Sequence, residues 1–506
     1  MGKVILAGYN VDATVLRELQ DRAGERMDVT PEVLSAAYAR ISRDPRPIDE
    51  LRADSRNEVE RARKSNQTII FQMGHHSVAE HAVFNLDILG VSRLAMEEVE
   101  KFRLCSYTEK SQRYITLDKD FVIPEEIKGT RFEKMFVEMI REQNAAYHEF
   151  FGKLKEHVFG KYSDLARDAK NHRLLEGWAK EDARYITALA TEAQVGMTVN
   201  ARNLELMLRR FASSALGEVR DLGRMIYGEV SGVAPSIIIF HEANNRDLKT
   251  YPELKAFALR CAPDPGKPGG AVSGKDVRLE EFDANADTLV AAAILHSSSN
   301  LPYEECRNAV EGMKPAQKEE IFRTATRQMQ FYDSMLREFE YANFTFNIVL
   351  SAACFGQLKR HRMSTITSQT YDPGLGVTIP ESFREIGEET RFRSIVDRTN
   401  EIYRAIEKEI PLAAPYVLTN SHRKRVLMRV SARELYHISR LREDRHAQWD
   451  IQNVGRAMSE EAKKVAPLTF SLIGGKDRYA DIYKEVHGTL PEVIQAVLPG
   501  VRSTQK

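Results

Sequence analysis

Apolar and polar positions along the chain fall into two alternating patterns, and each pattern occurs twice. Residues 3–8 (VILAGY) make a short apolar run suited to a buried strand. Asp28-Val29-Thr30-Pro31-Glu32 then supplies capping and first-turn chemistry for a helix over VLSAAYARIS. Much later, 277–282 (VRLEEF) reads as a strand and NADTLVAAAILHSSS as the Ala-rich helix that follows it, in the same order. Residues 82–91 (AVFNLDILGV) alternate like a strand, lead into SRLAMEEVEKFR, and end in a polar loop, SYTEKSQRY. Residues 342–350 (ANFTFNIVL) lead through SAACFGQLKRHR into STITSQTY, so strand, short helix, basic cluster and Ser/Thr-rich loop recur at similar spacing.

A third pair follows. Residues 200–222 (NARNLELMLRRFASSALGEVRDL) and 431–453 (SARELYHISRLREDRHAQWDIQN) both show helical periodicity, an Ala-Arg near the start, and arginines ahead of an Ala and an acidic residue. Between the halves lies CAPDPGKPGGAVSGK, residues 261–275, whose Pro, Gly and Ser cannot sustain a long helix or strand. The expected fold is therefore α/β (α+β), with two tandem, diverged copies of one domain over 1–260 and 276–506, joined by a linker at 261–275.

Composition narrows the function classes. A chain of 506 residues, 42% of them hydrophobic, can bury substantial cores. Lys+Arg and Asp+Glu both number 73, so no bulk positive field marks a nucleic-acid binder, and any anion site has to be built locally. The opening MGKVILAGYNV lacks a cleavage pattern, and Arg, Glu or His interrupts the most apolar segments. Neither a secretory signal nor a membrane span is expected. Cys105, Cys261, Cys306 and Cys354 are scattered and form no CxxC, as in a reduced, cytoplasmic protein without structural zinc.

The sharpest local chemistry is Gln357-Leu-Lys-Arg360-His361-Arg362, where two guanidinium forks bracket a titratable ring in a manner suited to phosphate or an anionic flavin. The same six residues also suit a solvated basic helix end. In the first half, Ser111 and Arg113 can share a phosphate dianion while Glu109 accepts from a ribose hydroxyl or a base N–H, although a plain soluble turn has the same composition. His75, His76 and His81 lack metal-ligand spacing, and no metal site is expected. No G-x-G-x-x-G follows a strand, no P-loop is present, and nothing marks a nucleophilic triad. Cys105 reads as an inert buried thiol.

Together these motifs resemble the flavin-dependent thymidylate synthases. That family carries R-H-R-x-x-S-x-N-x-x-S-x-R, an upstream H-x-[ST]-P-x-E-H, and a downstream helix with N-x-R, Arg and A-Q-W-E. The first half keeps Arg103, Ser106, Ser111, Arg113 and Tyr114, the segment GHHSVAEH with His75, and also Arg184, Asn200, Arg202 and Arg210. It departs at Lys101, Phe102, Thr108 and Leu216. The second half keeps Gln357, Arg360, His361, Arg362, Arg433, His437, Arg442 and HAQWD. It loses the rest, with Thr365, Thr367, Thr370 and Asp372 in the signature, Pro415 at the place of Arg184, and no upstream histidine.

Family sites are shared between subunits, so the resemblance implies a composite site in which Gln357, Arg360, His361 and Arg362 meet Glu109, Ser111 and Arg113, and a degenerate reciprocal one. It implies conversion of dUMP to dTMP with 5,10-methylenetetrahydrofolate, through FAD reduced by NADPH. Arg113, Ser111, Gln357, Glu109 and Arg184 would bind the nucleotide, and Arg442 would act at the pyrimidine, with Arg210 as its alternative from the other half. Arg360, His361, Arg362 and His75 would bind flavin, helped by Arg202, Arg433 and His437. Partners would be dUMP and folate, with no nucleic-acid polymer and no membrane, in a homodimer of two-domain chains that mimics a tetramer. An altered flavin or nucleotide enzyme and a noncatalytic nucleotide-binding assembly protein are the other readings.

Overall fold

A computed structural model describes residues 13–23, 30–41, 44–111, 120–261 and 275–492. The strand expected over 3–8, the 112–119 segment with Arg113 and Tyr114, and nearly all of the expected linker (262–274) lie outside the described residues. The first half contains a three-stranded antiparallel sheet of β1 (Val83–Ser92), β2 (Cys105–Glu109) and β3 (Glu192–Asn200), ordered β1-β3-β2. The second contains β4 (Val277–Phe282), β5 (Asn343–Ser351), β6 (Thr365–Ser368) and β7 (Arg423–Ser431), ordered β4-β5-β7-β6. In register, β1 stands where β5 does, β2 where β6 does and β3 where β7 does.

The polar segments expected as loops after each basic cluster are corrected here, because β2 and β6 are strands. They carry the β-favouring residues Tyr107, Thr108, Thr365, Ile366 and Thr367, and each pairs antiparallel with the central strand of its sheet, which satisfies its backbone N–H and C=O groups on that side. Each central strand alternates cleanly: in β3, Ala193, Val195, Met197 and Val199 are buried, and in β7, Val426, Met428 and Val430. Ser92 and Ser351 cap the short helices Arg93–Val99 and Ala352–Leu358 by accepting from Ala95 N and Cys354 N.

The halves meet about a pseudo-twofold axis. Ala188 and Thr419, which are counterparts in the β3/β7 register, pair with each other in an antiparallel bridge. Around it Leu189 N donates to Leu418 O (2.7 Å), Ala190 N to Tyr416 O (2.9 Å), Asn420 N to Thr187 O (2.9 Å) and Ser421 N to Tyr185 O (2.9 Å). Buried side chains repeat the symmetry. Tyr185 donates to Asp450 Oδ2 (2.9 Å), which also accepts from Ser351 Oγ (2.6 Å), while Tyr416 donates to Glu218 Oε2 (2.8 Å), which also accepts from Ser92 Oγ (2.6 Å).

Each half has its own core against its sheet. A third core belongs to both, with Phe136, Tyr147 and Phe150 of one half against Phe383, Phe392 and Tyr416 of the other. Each fully buried aromatic contributes about 1.5–3 kcal/mol, so the shared core is a principal support of the assembly. No helix among the described residues is long and apolar enough to cross a membrane.

Buried ion pairs cross this interface, Lys424–Glu97 among them. Lys424 Nζ lies 2.9 Å from Glu97 Oε2 and 4.2 Å from the ring centroids of Phe355 and Tyr371, and the Tyr371 hydroxyl donates to Glu97 Oε1 (2.5 Å). Burial pushes the Glu97 carboxyl up, but Lys424, Lys359, Arg93 and the Tyr371 hydroxyl outweigh it and hold the group at about 2. Replacing Lys424 alone by Met is expected to lower unfolding stability in urea by about 3–5 kcal/mol. Glu97→Met together with Lys424→Met should recover more than half of that loss, and a double mutant as unstable as the single would show that the pair's charges do not matter.

Candidate functional site

A cavity of about 240 Å³ opens between the halves, lined by Arg93, Glu109, Lys110, Ser111 and Arg184 of the first and Ala353, Gly356, Gln357, Arg360 and Arg442 of the second. The cap at Ser351 starts the short helix that carries Ala353, Gly356 and Gln357, and Arg360 follows its last turn. Glu109 ends β2, and Lys110 is held beyond it by its N–H bond to Gln194 O (2.9 Å). Arg442 ends the helix Ala432–Arg442.

Glu109 ties the two sides together. Its Oε1 accepts from Arg93 Nη1 (3.2 Å) and its Oε2 from Arg360 Nη2 (2.5 Å). Arg360 also reaches Glu100 Oε1 (3.0 Å), and Glu100 Oε2 pairs with Lys359 Nζ (2.6 Å). Burial raises the Glu109 carboxyl, yet Arg93, Lys359 and Arg360 overcome this and hold it below the usual carboxylate range. Burial and the Arg93 charge pull Lys359 down from its ordinary value, against Glu100, Glu109 and Glu97. Five lining residues are cationic and one is anionic, so the cavity suits an anion.

Arg442 is fixed on a different footing. Its Nε donates to His361 Nε2 (2.9 Å) and its Nη2 to Gln357 O (3.1 Å). His361 Nδ1 faces Glu434 Oε1 at 3.5 Å, and the ring meets His437 edge-on with centroids 5.8 Å apart. Burial first, then the Arg442 and His437 charges, push His361 well below the normal imidazole range. A neutral ring with its proton on Nδ1 is the form that can accept from Arg442.

The pseudo-twofold relates this cavity to a reciprocal position built from different residues. In the register of the strands and the two capped helices, Lys101 stands at the place of Arg360, Glu98 at Gln357, Glu97 at Gly356 and Ser368 at Glu109. Thr370, Asp372 and Pro415 stand at the places of Ser111, Arg113 and Arg184. Where Gly356 leaves space, the reciprocal position holds the Glu97 carboxylate with Lys424 and Tyr371 packed around it.

The register also corrects the placing of Arg210, since Phe211 rather than Arg210 stands opposite Arg442. A Cβ on Gly223 would lie 2.9 Å from Phe211 Cβ, as one on its counterpart Gly455 would lie 3.3 Å from Arg442 Cβ. Phe211 is buried, and Arg210 Nη1 points instead to Asp247 Oδ1 at 2.9 Å. The near-match of Arg210 in sequence reflects one fewer residue between the two helices of the first half.

The other expected site residues divide. Glu109, Ser111, Arg184, Gln357, Arg360 and Arg442 line the cavity, His361 abuts it through Arg442, and Arg362 donates to Cys105 O. Arg113 lies outside the described residues. Arg202 pairs with Glu80 (2.5 Å) and its counterpart Arg433 with Glu340 (2.8 Å), while His75 and His437 are exposed. Among the described residues no hydrogen bond or ring contact joins His75 or Arg202 to Arg360, His361 or Arg362. Arg93, Lys110, Lys359 and Glu100 are cavity or network residues that motif reading passed over. Arg93 is an arginine at the first helical position, where the second half has Ala352, and that difference between the repeats was the available signal.

The family model described as "Thymidylate synthase complementing protein" matches residues 26–236 and again 278–468. The chain is 32% identical over 212 residues to the flavin-dependent thymidylate synthase of Clostridium tetani, covering 41% of this chain and 80% of that protein. It is 23% identical over 435 residues to a UPF0159 protein of Chlamydia muridarum, covering 82% of this chain and 81% of that one. Among solved structures, a UMP/dUMP methylase PolB from Streptomyces cacaoi bound with 5-Br dUMP aligns with a TM-score of 0.31 at 17% identity, covering 38% of this chain and 92% of that one.

The buried histidines set an acid limit. His361 and His422, the latter pushed down by burial to about 4, both have folded values below the unfolded 6.5. Below pH 6.5 the unfolded chain therefore binds protons that the folded chain refuses, and stability falls as the pH drops, by up to about 1.4 kcal/mol per unit per group. Urea unfolding at pH 7.5, 6.5 and 5.5 should show a flat upper range and a decline below it. His361→Gln should flatten part of that decline, and an unchanged slope would count against a neutral buried ring.

Proposed function

This chain belongs to the thymidylate synthase complementing protein family, and from that membership and the cavity we propose that it converts dUMP to dTMP at a site shared between its two halves. The observation that carries this reading is the meeting of Gln357, Arg360 and Arg442 with Glu109, Ser111 and Arg184 around one cavity, closed by the Arg360–Glu109 contact. Ser111, Arg184 and Gln357, with Arg113 beyond Ser111 in the chain, hold the phosphate, and Glu109 orients the sugar. Arg442, locked by His361 and the Gln357 carbonyl, places its guanidinium at the pyrimidine carbonyl and favours its enolate-like form electrostatically, without changing its own protonation.

The donor set fits an aromatic, diphosphate-bearing cofactor at the cavity's rim. Arg360 is 30% exposed, and the exposed His437 ring stands edge-on to His361, giving cationic and flat surfaces side by side. FAD is the group assigned to it, held by Arg360, His361, Arg362 and His437, with His75 and Arg202 reaching it from a second copy in a homodimer of two-domain chains divided at 261–275. Bound there and reduced by NADPH, the flavin would supply the hydride chemistry that makes a methyl group of the carbon donated by 5,10-methylenetetrahydrofolate. The reciprocal position, with Glu97, Asp372, Pro415 and Phe211 in place of Gly356, Arg113, Arg184 and Arg442, is inactive, so each chain offers one nucleotide site.

Calorimetric titration of folded, flavin-loaded protein with dUMP should give one site per chain, and the complete assay with dUMP, methylenetetrahydrofolate and NADPH should yield dTMP. Arg442→Ala should lower kcat about 10²–10³-fold while dUMP still binds. Two equal sites per chain, or no dTMP from flavin-loaded protein, would sink the reading.

A further inference from the structure

Arg93 stands outside the motifs that mark the cavity, and its surroundings are unusual for an arginine with a purely structural role. Its side chain is only 6% exposed, yet among the described residues its guanidinium makes a single hydrogen bond, to Glu109 Oε1 at 3.2 Å. A guanidinium carries five N–H donors, and Arg93 lines the cavity with its Nη2 against Gly356, another lining residue. The group stays charged: burial opposes the charge, but Glu109, Glu97 and Glu100 hold its pKa above the ordinary value. A buried cation with unused donors is costly unless something anionic meets it.

The fold does not ask for this cation. Arg93 opens its helix with a backbone N–H bond to Thr191 O (2.9 Å), and its counterpart Ala352 makes the same bond to His422 O (3.0 Å) with no side chain beyond Cβ. Nor does Glu109 require it, because Arg360 already engages the other carboxylate oxygen at 2.5 Å. The opposite wall is instead shaped around it, since a Cβ on Gly356 would collide with Arg93 Nη2, and the residue corresponding to Gly356 in the other half is Glu97. Arginine facing glycine occurs on the cavity side of the pseudo-twofold alone, with alanine and glutamate at the related positions.

We infer that Arg93 is a further substrate-binding residue, donating from the buried end of the cavity to the phosphate of the nucleotide. This inference rests on the nucleotide reading above. A phosphate dianion matches both the unused donors and the cationic excess, whereas a neutral pyrimidine carbonyl would satisfy one donor and leave the charge uncompensated.

The test is calorimetry on the flavin-loaded protein with dUMP and, separately, 2′-deoxyuridine, which lacks the phosphate. Arg93→Gln is expected to weaken dUMP binding about 10- to 100-fold and to leave deoxyuridine binding unchanged, and Arg93→Lys should restore part of the loss. If Arg93→Gln does not fold, Gly356→Ala displaces the guanidinium without removing the charge and should show the same difference between ligands. Equal losses for both ligands, or none for dUMP, would overturn the inference while dUMP binding by the wild type still stood. Failure of the wild type to bind dUMP would instead overturn the nucleotide reading, and this inference with it.

Discussion

The antiparallel contact of residues 185–190 with 416–421 is the constraint from which the rest of the molecule follows. Ala188 pairs with its own counterpart Thr419, so the pseudo-twofold axis passes through that bridge, and β1, β2 and β3 have their partner elements β5, β6 and β7 across it. An isologous contact of this kind buries the same patch twice, as the mirrored pairs Tyr185–Asp450 and Tyr416–Glu218 illustrate. Both tyrosines sit in the shared aromatic core, which fixes how far apart the helices Arg93–Val99 and Ala352–Leu358 lie. The cavity walls are those helices and the strand ends beside them, so its shape is a property of the interface and of neither half alone.

Joining two copies in one chain changes what residue substitutions can do. In a symmetric pair of identical subunits, a glutamate at the place of Gly356 would enter both sites at once. Here Glu97 enters one side only, where Lys424 and Tyr371 compensate its charge, and the other side keeps Gly356, against which the Arg93 guanidinium packs. The same freedom separates Arg442 from Phe211 and Arg184 from Pro415. The reciprocal side is a support: a buried ion pair flanked by two aromatic rings, spanning the halves. Its charges are tolerable because each has a partner within hydrogen-bonding distance and neither is left alone in a low-dielectric interior.

Much of this organisation was legible in the sequence. The repeated order of strand, capped short helix and basic cluster rests on local rules: Ser92 and Ser351 cap as serine before a helix does, and β1 and β5 fall where alternation placed strands. The meeting of Arg360 with Glu109 was legible only through family resemblance, since 251 positions separate them. The central strands β3 and β7 were overlooked although Val195, Met197 and Val199, like Val426, Met428 and Val430, are apolar at every second position. Gly196 and the exposed Leu427 on the open faces masked a period-two signal. The misplacing of Arg210 had a different cause: a one-residue difference in a connection cannot be located by motif matching, whereas packing of Gly223 on Phe211 locates it at once. Arg93 was invisible for a third reason, because a lone arginine acquires meaning only when the opposing glycine is known.

The position of His361 shows how one buried ring can meet several neighbours without titrating. Sequence resemblance gives the ring to the flavin, and the structure gives one of its edges to Arg442. These assignments use different parts of the imidazole. Nε2 accepts from Arg442, Nδ1 faces Glu434, and the ring lies edge-on to His437 toward the exposed rim. A neutral ring is needed for the first contact, and burial together with the adjacent guanidinium enforces it. Protonation would remove the acceptor and set an imidazolium against Arg442, so the surroundings that lower the pKa also keep the arginine aimed. Burial here preserves orientation at a point where a surface histidine would be free to switch, and on the proposed reading it joins nucleotide activation to the cofactor's side of the site through a single fixed ring.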